Sequence, residues 1–295
     1  MELKKQNVGV VCGCGIRGIE KTAKGFTFHT KGGDFYATKC IMATGGKTLK
    51  KSGSDGSGFL YLESLGHHII DLVPGLIGLK GKQSFFADIA GIRADVKVDL
   101  YIESTHVCSE QGELQLTNYG ISGIPVFQLS RVATRALSEQ KKVYATLNFV
   151  PLWEKEQCLT YFKERFKKAD EKHIGEALIG FFPEKLIPVL LEESHIKAAK
   201  YANRLQTEEL ERFIDTVQGL RVDITDWNTF DTAQVTAGGV DTDEIDAETM
   251  ESKLCPGLYF AGEMVDIDGI CGGYNLQWAW SSGAVAGIHV ARELS

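Results

Sequence analysis

The segment Gly262-Glu263-Met264-Val265-Asp266-Ile267-Asp268-Gly269-Ile270-Cys271-Gly272-Gly273-Tyr274-Asn275-Leu276-Gln277 joins two readable elements. Before it stands Leu258-Tyr259-Phe260-Ala261, a short continuous apolar run of the kind found in buried strands. After it comes a helical pattern. Gly272 and Gly273 leave the backbone bare just ahead of that helix, so its N-terminal amides are open to close approach. Inside the helix Ala279, Gly283 and Gly287 recur every four residues, with Ser282 and Ala286 beside them. A helical glycine costs about 1 kcal/mol relative to alanine, so this small-residue stripe implies a closely packed neighbour or a flat ligand.

A second buried strand lies far upstream, in Cys40-Ile41-Met42-Ala43, and it stops at Thr44-Gly45-Gly46. Two strands from distant parts of the chain thus end in glycine-containing turns, and ligands of open α/β sheets bind at the carboxyl ends of strands. A carboxylate at Glu263 suits a polyol donating hydrogen bonds, and a positive helix end suits a group that becomes anionic. A reduced flavin has both needs, in its ribityl hydroxyls and its N1/C2 carbonyl edge. The plainer reading is a glycine-rich turn that packs one helix on a sheet.

Upstream of Cys40, the residues Phe26, Phe28, Gly32-Gly33 and Phe35 predict a β-hairpin. Gly13-Cys14-Gly15-Ile16-Arg17-Gly18 matches G-x-G-x-x-G after a possible strand at Val8 to Cys12. Only Ile19 to Lys24 separate it from Gly25, which is too short for the crossover helix that a dinucleotide fingerprint requires. Ile16 to Ile19 is therefore read as a strand leading into the hairpin.

The chain has 32 glycines but only Gly175, Gly180 and Gly219 between positions 124 and 237, a contrast that marks an insertion. From Trp153 to about Gln218 the pattern is helical and highly charged. Leu159, Phe162, Phe166 and Ala169 make one apolar stripe, a second helix is expected from Pro183 to about His195, and a third from Thr207. Alternation at Val96/Val98/Leu100/Ile102, Val143/Ala145/Leu147/Phe149 and Leu220/Val222/Ile224 predicts strands around this small bundle, forming an antiparallel sheet or barrel. Gly112, between Val107 and Leu114/Leu116, is expected in a hairpin loop.

The 295 residues carry 32 Lys+Arg and 39 Asp+Glu, a net charge of −7, which argues against a nucleic-acid footprint. The charged start, Met1 to Gln6, and the lack of a long apolar window indicate neither export nor a membrane span. Seven cysteines, with only Cys12 and Cys14 close together, read as reduced thiols of a cytoplasmic protein. His67 and His68 have no ligand-spaced partners and predict no metal. Asp266 and Asp268 read as a solvated acidic turn, Trp278 and Trp280 as core or interface, and Cys271 as structural. No catalytic acid, base or nucleophile can be assigned.

Met42-Ala-Thr-Gly-Gly-Lys47, Gly66-His67 with Pro74, Thr236-Ala-Gly-Gly-Val240 and Leu258-Tyr-Phe-Ala-Gly-Glu263 through Gly272-Gly-Tyr-Asn-Leu-Gln277 resemble, in order along nearly the whole chain, the aminoacetone oxidase and bile-acid reductase type of NAD(P)/FAD-dependent flavoproteins. The resemblance implies an α/β (α+β overall) chain: a partial glutathione-reductase-like FAD-binding domain split by an inserted antiparallel β-barrel that carries a small helical bundle. The expected boundaries are 1–75 and 236–295 for the FAD domain, 76–149 and 218–235 for the barrel, and 150–217 for the helices. By the same resemblance Thr44, Gly45 and Gly46 line the FAD site, Gly262 and Glu263 lie along the ribityl and pyrophosphate region, and Gly273, Tyr274, Asn275 and Leu276 offer backbone amides to the isoalloxazine, with Gly272 also counted among the cofactor-binding residues. The cofactor would be FAD, exchanging hydride with either NAD(P)H as co-substrate or a small amine or ketone-type substrate. Nothing here matches the family's opening strand, G-x-G-x-x-G turn and helix, so the chain is expected to start about a hundred residues in. It would then act with a separate N-terminal polypeptide, self-associate at the exposed sheet edge, or persist as a non-catalytic remnant. Thr117-Asn118-Tyr119-Gly120-Ile121-Ser122-Gly123-Ile124 departs from the family pattern, with Asn118 in place of His and Ile124 in place of Pro.

Overall fold

A computed structural model describes residues 2–295. Its elements are, in order, α1 (Glu2–Lys5), β1 (Ile16–Thr22), β2 (Gly25–Thr30), β3 (Gly33–Ala37), β4 (Cys40–Met42), α2 (Ser57–Ser64) and β5 (Ile69–Gly75). There follow β6 (Leu79–Gly81), α3 (Phe86–Ile89), β7 (Arg93–Ile102), β8 (Thr105–Thr117), β9 (Gly120–Gly123), α4 (Ile124–Ser138) and β10 (Val143–Asn148). Next come α5 (Lys155–Lys167), α6 (Ile174–Leu178), α7 (Leu186–Glu193), α8 (Thr207–Gly219) and β11 (Leu220–Trp227). The chain closes with β12 (Val235–Val240), β13 (Leu258–Phe260) and α9 (Tyr274–Leu294). Residues fall into two compact units, one comprising the chain up to Leu72 with Val235–Gly269 and Gly273–Ser295, the other Val73–Gln234 with Ile270–Gly272.

In the first unit β1, β2 and β3 form an antiparallel meander. Because Ile16–Thr22 is a strand, the glycines at 13, 15 and 18 introduce no helix. β4 and β13 form a separate parallel pair. The outer side of β13 is covered: Ser252 N–H donates to Leu258 O at 2.7 Å, and Phe260 N–H to Met250 O at 3.0 Å. Among the described residues β4 has no strand on its other side, and Ile41 is 41% exposed. A core of Met42, Phe59, Leu62, Val240, Tyr259, Phe260, Met264 and Ala286, with their neighbours, holds the unit together. His67 is buried within it, its Nδ1 2.7 Å from Glu244 Oε2 and its Nε2 3.0 Å from Ser252 Oγ. That imidazole pins the 244–252 segment to the turn after α2. No group of three or more potential metal ligands exists among the described residues.

The second unit is a closed six-stranded barrel in the order β10-β11-β6-β9-β8-β7. Strict alternation places Val96, Val98, Leu100, Leu114, Leu116, Ala145, Leu147 and Val222 in one core, so the period read from sequence holds. Gly112 is not in a loop. β8 runs through it, and the β7–β8 turn lies at Glu103-Ser104. A Cβ at Gly112 would stand 3.5 Å from Pro125 Cδ, which shows close approach of the neighbouring helix instead of a turn. That helix, α4, is absent from the reading above. Its Val126, Leu129, Ala133 and Ala136 are buried in the barrel core, and Thr134 Oγ1 donates to Pro74 O at 3.0 Å. The helical segment holds four α-helices, not three. α7 begins at Leu186 instead of Pro183, and α6 is an additional short turn closed by a capping box at His173 and Glu176. No helix among the described residues is long and apolar enough to cross a membrane.

Candidate cofactor-binding site

Parallel pairing sets Leu258, Tyr259 and Phe260 opposite Cys40, Ile41 and Met42, and Ala261 N–H donates to Met42 O at 3.0 Å. The two apolar runs, far apart in sequence, thus become neighbours. Their carboxyl ends open together into Ala43–Lys47 and Ala261–Met264, the location at which open α/β sheets bind ligands.

Thr236, on the buried strand β12, ties these two ends. Its Oγ1 accepts from Lys47 N–H at 2.7 Å, and its own N–H donates to Glu263 Oε1 at 2.6 Å. Thr48 Oγ1 lies 3.5 Å from the same carboxylate oxygen. Gly46 is glycine for a steric reason: a Cβ there would stand 2.2 Å from Thr236 Oγ1 and 3.1 Å from Glu263 Cδ. Gly46, Gly262 and Glu263 are therefore brought together. Thr44 and Gly45 occupy the same turn but pack elsewhere, Thr44 against Gly58 of α2 and Gly45 against Ser54.

α9 grips the Gly262 turn from its first half. Ser282 Oγ accepts from Gly262 N–H at 2.9 Å, and Trp278 Nε1 donates to Gly262 O at 3.0 Å. This contact accounts for the first part of the small-residue stripe: Ala279 is the nearest group to the missing Gly262 side chain, and Gly283 faces Ala261, whereas nothing lies within 4 Å of a Cβ placed at Gly287. One turn before Trp278 the helix begins at Gly273, which has φ +92° and open space where its Cβ would be. No side chain caps the helix. The amides of Tyr274, Asn275 and Leu276 precede the first intrahelical bond, which Gln277 N–H makes to Gly273 O at 3.0 Å. Asn275 uses its side chain locally, exchanging two hydrogen bonds with the Gly269 backbone at 2.8 and 2.9 Å, and so offers a ligand only its amide. Gly272 groups with the second unit, apart from the others.

The donor set is suited to a flavin. Three uncapped amides at the positive end of a 21-residue helix match a carbonyl edge that gains negative charge. Glu263 spends one oxygen on Thr236 and keeps the other for a hydroxyl. Thr48, Trp278 and Ser282 were not legible as site residues, because each acts on backbone or carboxylate groups placed by the tertiary fold.

The cysteines differ in exposure: Cys40, Cys158 and Cys255 are buried, and Cys12 is exposed. Burial, and after it the neighbouring Cys255, pushes the Cys40 thiol up to about 12, whereas Cys12 is exposed. Iodoacetamide at pH 8 will therefore label Cys12 in the native chain and Cys40 only after unfolding. Peptide mass spectrometry checks this, and equal native labelling of the two would refute it.

The HI0933-like protein Rossmann domain profile matches residues 1–289. A 3-dehydro-bile acid delta(4,6)-reductase of Clostridium scindens is 43% identical over 287 residues, 97% of this chain and 70% of that protein. Ribosomal RNA dihydrouridine synthases of Escherichia coli and Haemophilus influenzae are each 28% identical, over 281 and 272 residues. Those alignments take in 95% and 91% of this chain, and 68% and 64% of the two synthases. The resemblance seen in the ordered motifs is thus borne out.

Proposed function

This chain belongs to the HI0933-like Rossmann-domain family, and from that premise we propose that it is the greater part of an FAD-dependent oxidoreductase. The observation that carries this reading is the junction of the β4 and β13 ends beside a helix whose first three amides are uncapped. The first unit would be a partial glutathione-reductase-like FAD domain, with the barrel and helices as its insertion. Bound FAD would supply the hydride-transferring group, with NAD(P)H the source of electrons. The protein's part is electrostatic and geometric. The α9 amides would stabilise negative charge on the ring, Glu263 would hold the ribityl chain, and the turn at Thr44, Gly45 and Gly46 would let the cofactor approach the backbone.

The relatives' names share one chemistry. A delta(4,6)-reductase and a dihydrouridine synthase both saturate carbon–carbon double bonds, and the uracil double bond is conjugated to a carbonyl. We infer that the substrate of this chain is an α,β-unsaturated carbonyl compound, either a free small molecule or a uridine within RNA.

A second reading is favoured by the open side of β4 and by the exposure of Val8, Val10 and Val11. Here the chain is a partner-dependent or non-catalytic form that needs another polypeptide, or a second copy, to hold FAD. Purification decides between the two. A yellow protein with a flavin spectrum, bleached anaerobically by NADH or NADPH, is expected from the first reading. A colourless protein with no thermal shift on adding FAD would reject it.

A further inference from the structure

The outer face of the barrel carries a row of flat side chains crossing four strands. Tyr144 on β10 is directly opposite Tyr101 on β7, with ring centroids 4.7 Å apart and planes 2° from parallel. Tyr101 is opposite His106 on β8, whose ring meets it edge-on at 5.3 Å. At the other end the Arg221 guanidinium of β11 lies 3.8 Å over the Tyr144 ring. Cross-strand ring pairs are ordinary sheet stabilisers. The end of this row is not ordinary, because Arg221 and Tyr144 line a concavity of about 470 Å³ together with Lys82, Lys142, Glu103 and Ser104.

The charges there are unevenly satisfied. Arg221 pairs with Asp223, which Gln83 Nε2 also reaches at 3.2 Å. Glu103 accepts from the Lys142 backbone N–H at 3.1 Å. Both carboxylates are therefore engaged within the protein, while neither the Lys82 nor the Lys142 ammonium has an ion-pair partner among the described residues. Two free ammonium groups flank a guanidinium with one face held on a tyrosine and a side chain 57% exposed. Guanidinium planes stack nucleobases, and lysines neutralise phosphates without regard to sequence.

We propose that this concavity binds a segment of single-stranded RNA, with a base stacked on Arg221 and backbone phosphates held by Lys82 and Lys142. The inference rests on the uridine form of the proposed reaction, and it gives that substrate a contact outside the cofactor site. It also revises the expectation drawn from composition. A net charge of −7 gives no long-range attraction for a polyanion, so capture depends on this local cluster.

The test is fluorescence anisotropy with a labelled 12-nucleotide uridine-rich RNA at about 50 mM salt, repeated across a salt series. Expected is micromolar binding that weakens at least tenfold in Arg221→Ala. The double variant Lys82→Ala/Lys142→Ala should lower the steepness of log K against log salt by about 1.4, from about 0.7 per phosphate contact on a single strand. That variant leaves the Arg221–Tyr144 stack intact, so it remains informative if Arg221→Ala does not fold. No binding by the parent chain, or binding unchanged in the double variant, would overturn the proposal. Flavin absorbance of the same samples separates the two readings: yellow protein that ignores RNA removes only the RNA site, and colourless protein that binds RNA through these residues removes only the flavin reading.

Discussion

Alanine at Gly239 will unfold the first unit and leave the barrel standing. Gly239 has φ +141°, and a Cβ there would stand 2.5 Å from Met264 O and 3.0 Å from the carbonyl carbons of Met264 and Val265. All three are backbone atoms, so no side chain can swing aside. The backbone cannot yield cheaply either, because Val240 bridges Val265 in parallel and Asp266 N–H donates to Val240 O at 3.0 Å. β12 is buried along its whole length. The expected cost is about 4 kcal/mol or more, a large share of the stability of an ordinary domain. Hydrogen exchange will show lost protection at residues 235–240 and 258–265 and retained protection in β7 and β8. Gly287→Ala is the contrasting case. Nothing lies within 4 Å of its would-be Cβ in mid-helix, so it should stabilise by about 0.5–1 kcal/mol. Native-like exchange in Gly239→Ala would show that the β12–Met264 contact is looser than drawn.

Glu263 gives the largest expected effect on cofactor retention. Its Oε1 serves the protein through Thr236 N–H, and its other oxygen is available to a ligand. Gln preserves the first contact by presenting its amide oxygen to Thr236, but it places a neutral NH₂ where a carboxylate would accept. FAD affinity should fall between tenfold and a hundredfold in Glu263→Gln, in keeping with about 1.5–3 kcal/mol for a hydrogen bond to a charged group. Glu263→Ala also strands the Thr236 N–H and should lower stability by about 1–3 kcal/mol. Titration of FAD fluorescence, with urea denaturation of each variant, separates binding from folding. Equal FAD affinity in the parent chain and Glu263→Gln would remove Glu263 from the site.

Features with local physical causes were readable in sequence. The Phe26–Phe35 hairpin, the alternating strands β7, β10 and β11, and the buried runs at Cys40 and Leu258 each carry their period or apolar content within a few residues. The Gly272-Gly273 break before α9 is of the same kind. α4 was missed although Pro125 in its first turn and the spacing of Val126, Leu129, Ala133 and Ala136 are visible; residues 124–138 received no element of their own inside the expected 76–149 barrel segment. Gly112 misled for a related reason: a glycine between apolar residues marks either a turn or a close approach, and only Pro125 decides which. The clamp on Gly262 by Trp278 and Ser282, the Thr236–Lys47 tie across 189 positions and the Glu244–His67–Ser252 chain have no local signature. Each depends on partners that only the completed fold brings into reach.

The two flanks of the β4–β13 pair are unequal, and that sets a stoichiometric ceiling. Beyond β13 the sheet is sealed by the 250–252 segment, itself backed by the Ile245–Ser252 bridge, so hydrogen-bonded growth in that direction is blocked. A second copy that docks through its own β4 brings a β13 sealed in the same way, so the seam closes at two chains. Within such a pairing, runaway stacking through the β4–β13 sheet, the usual hazard of a bare edge, has no second open edge from which to propagate.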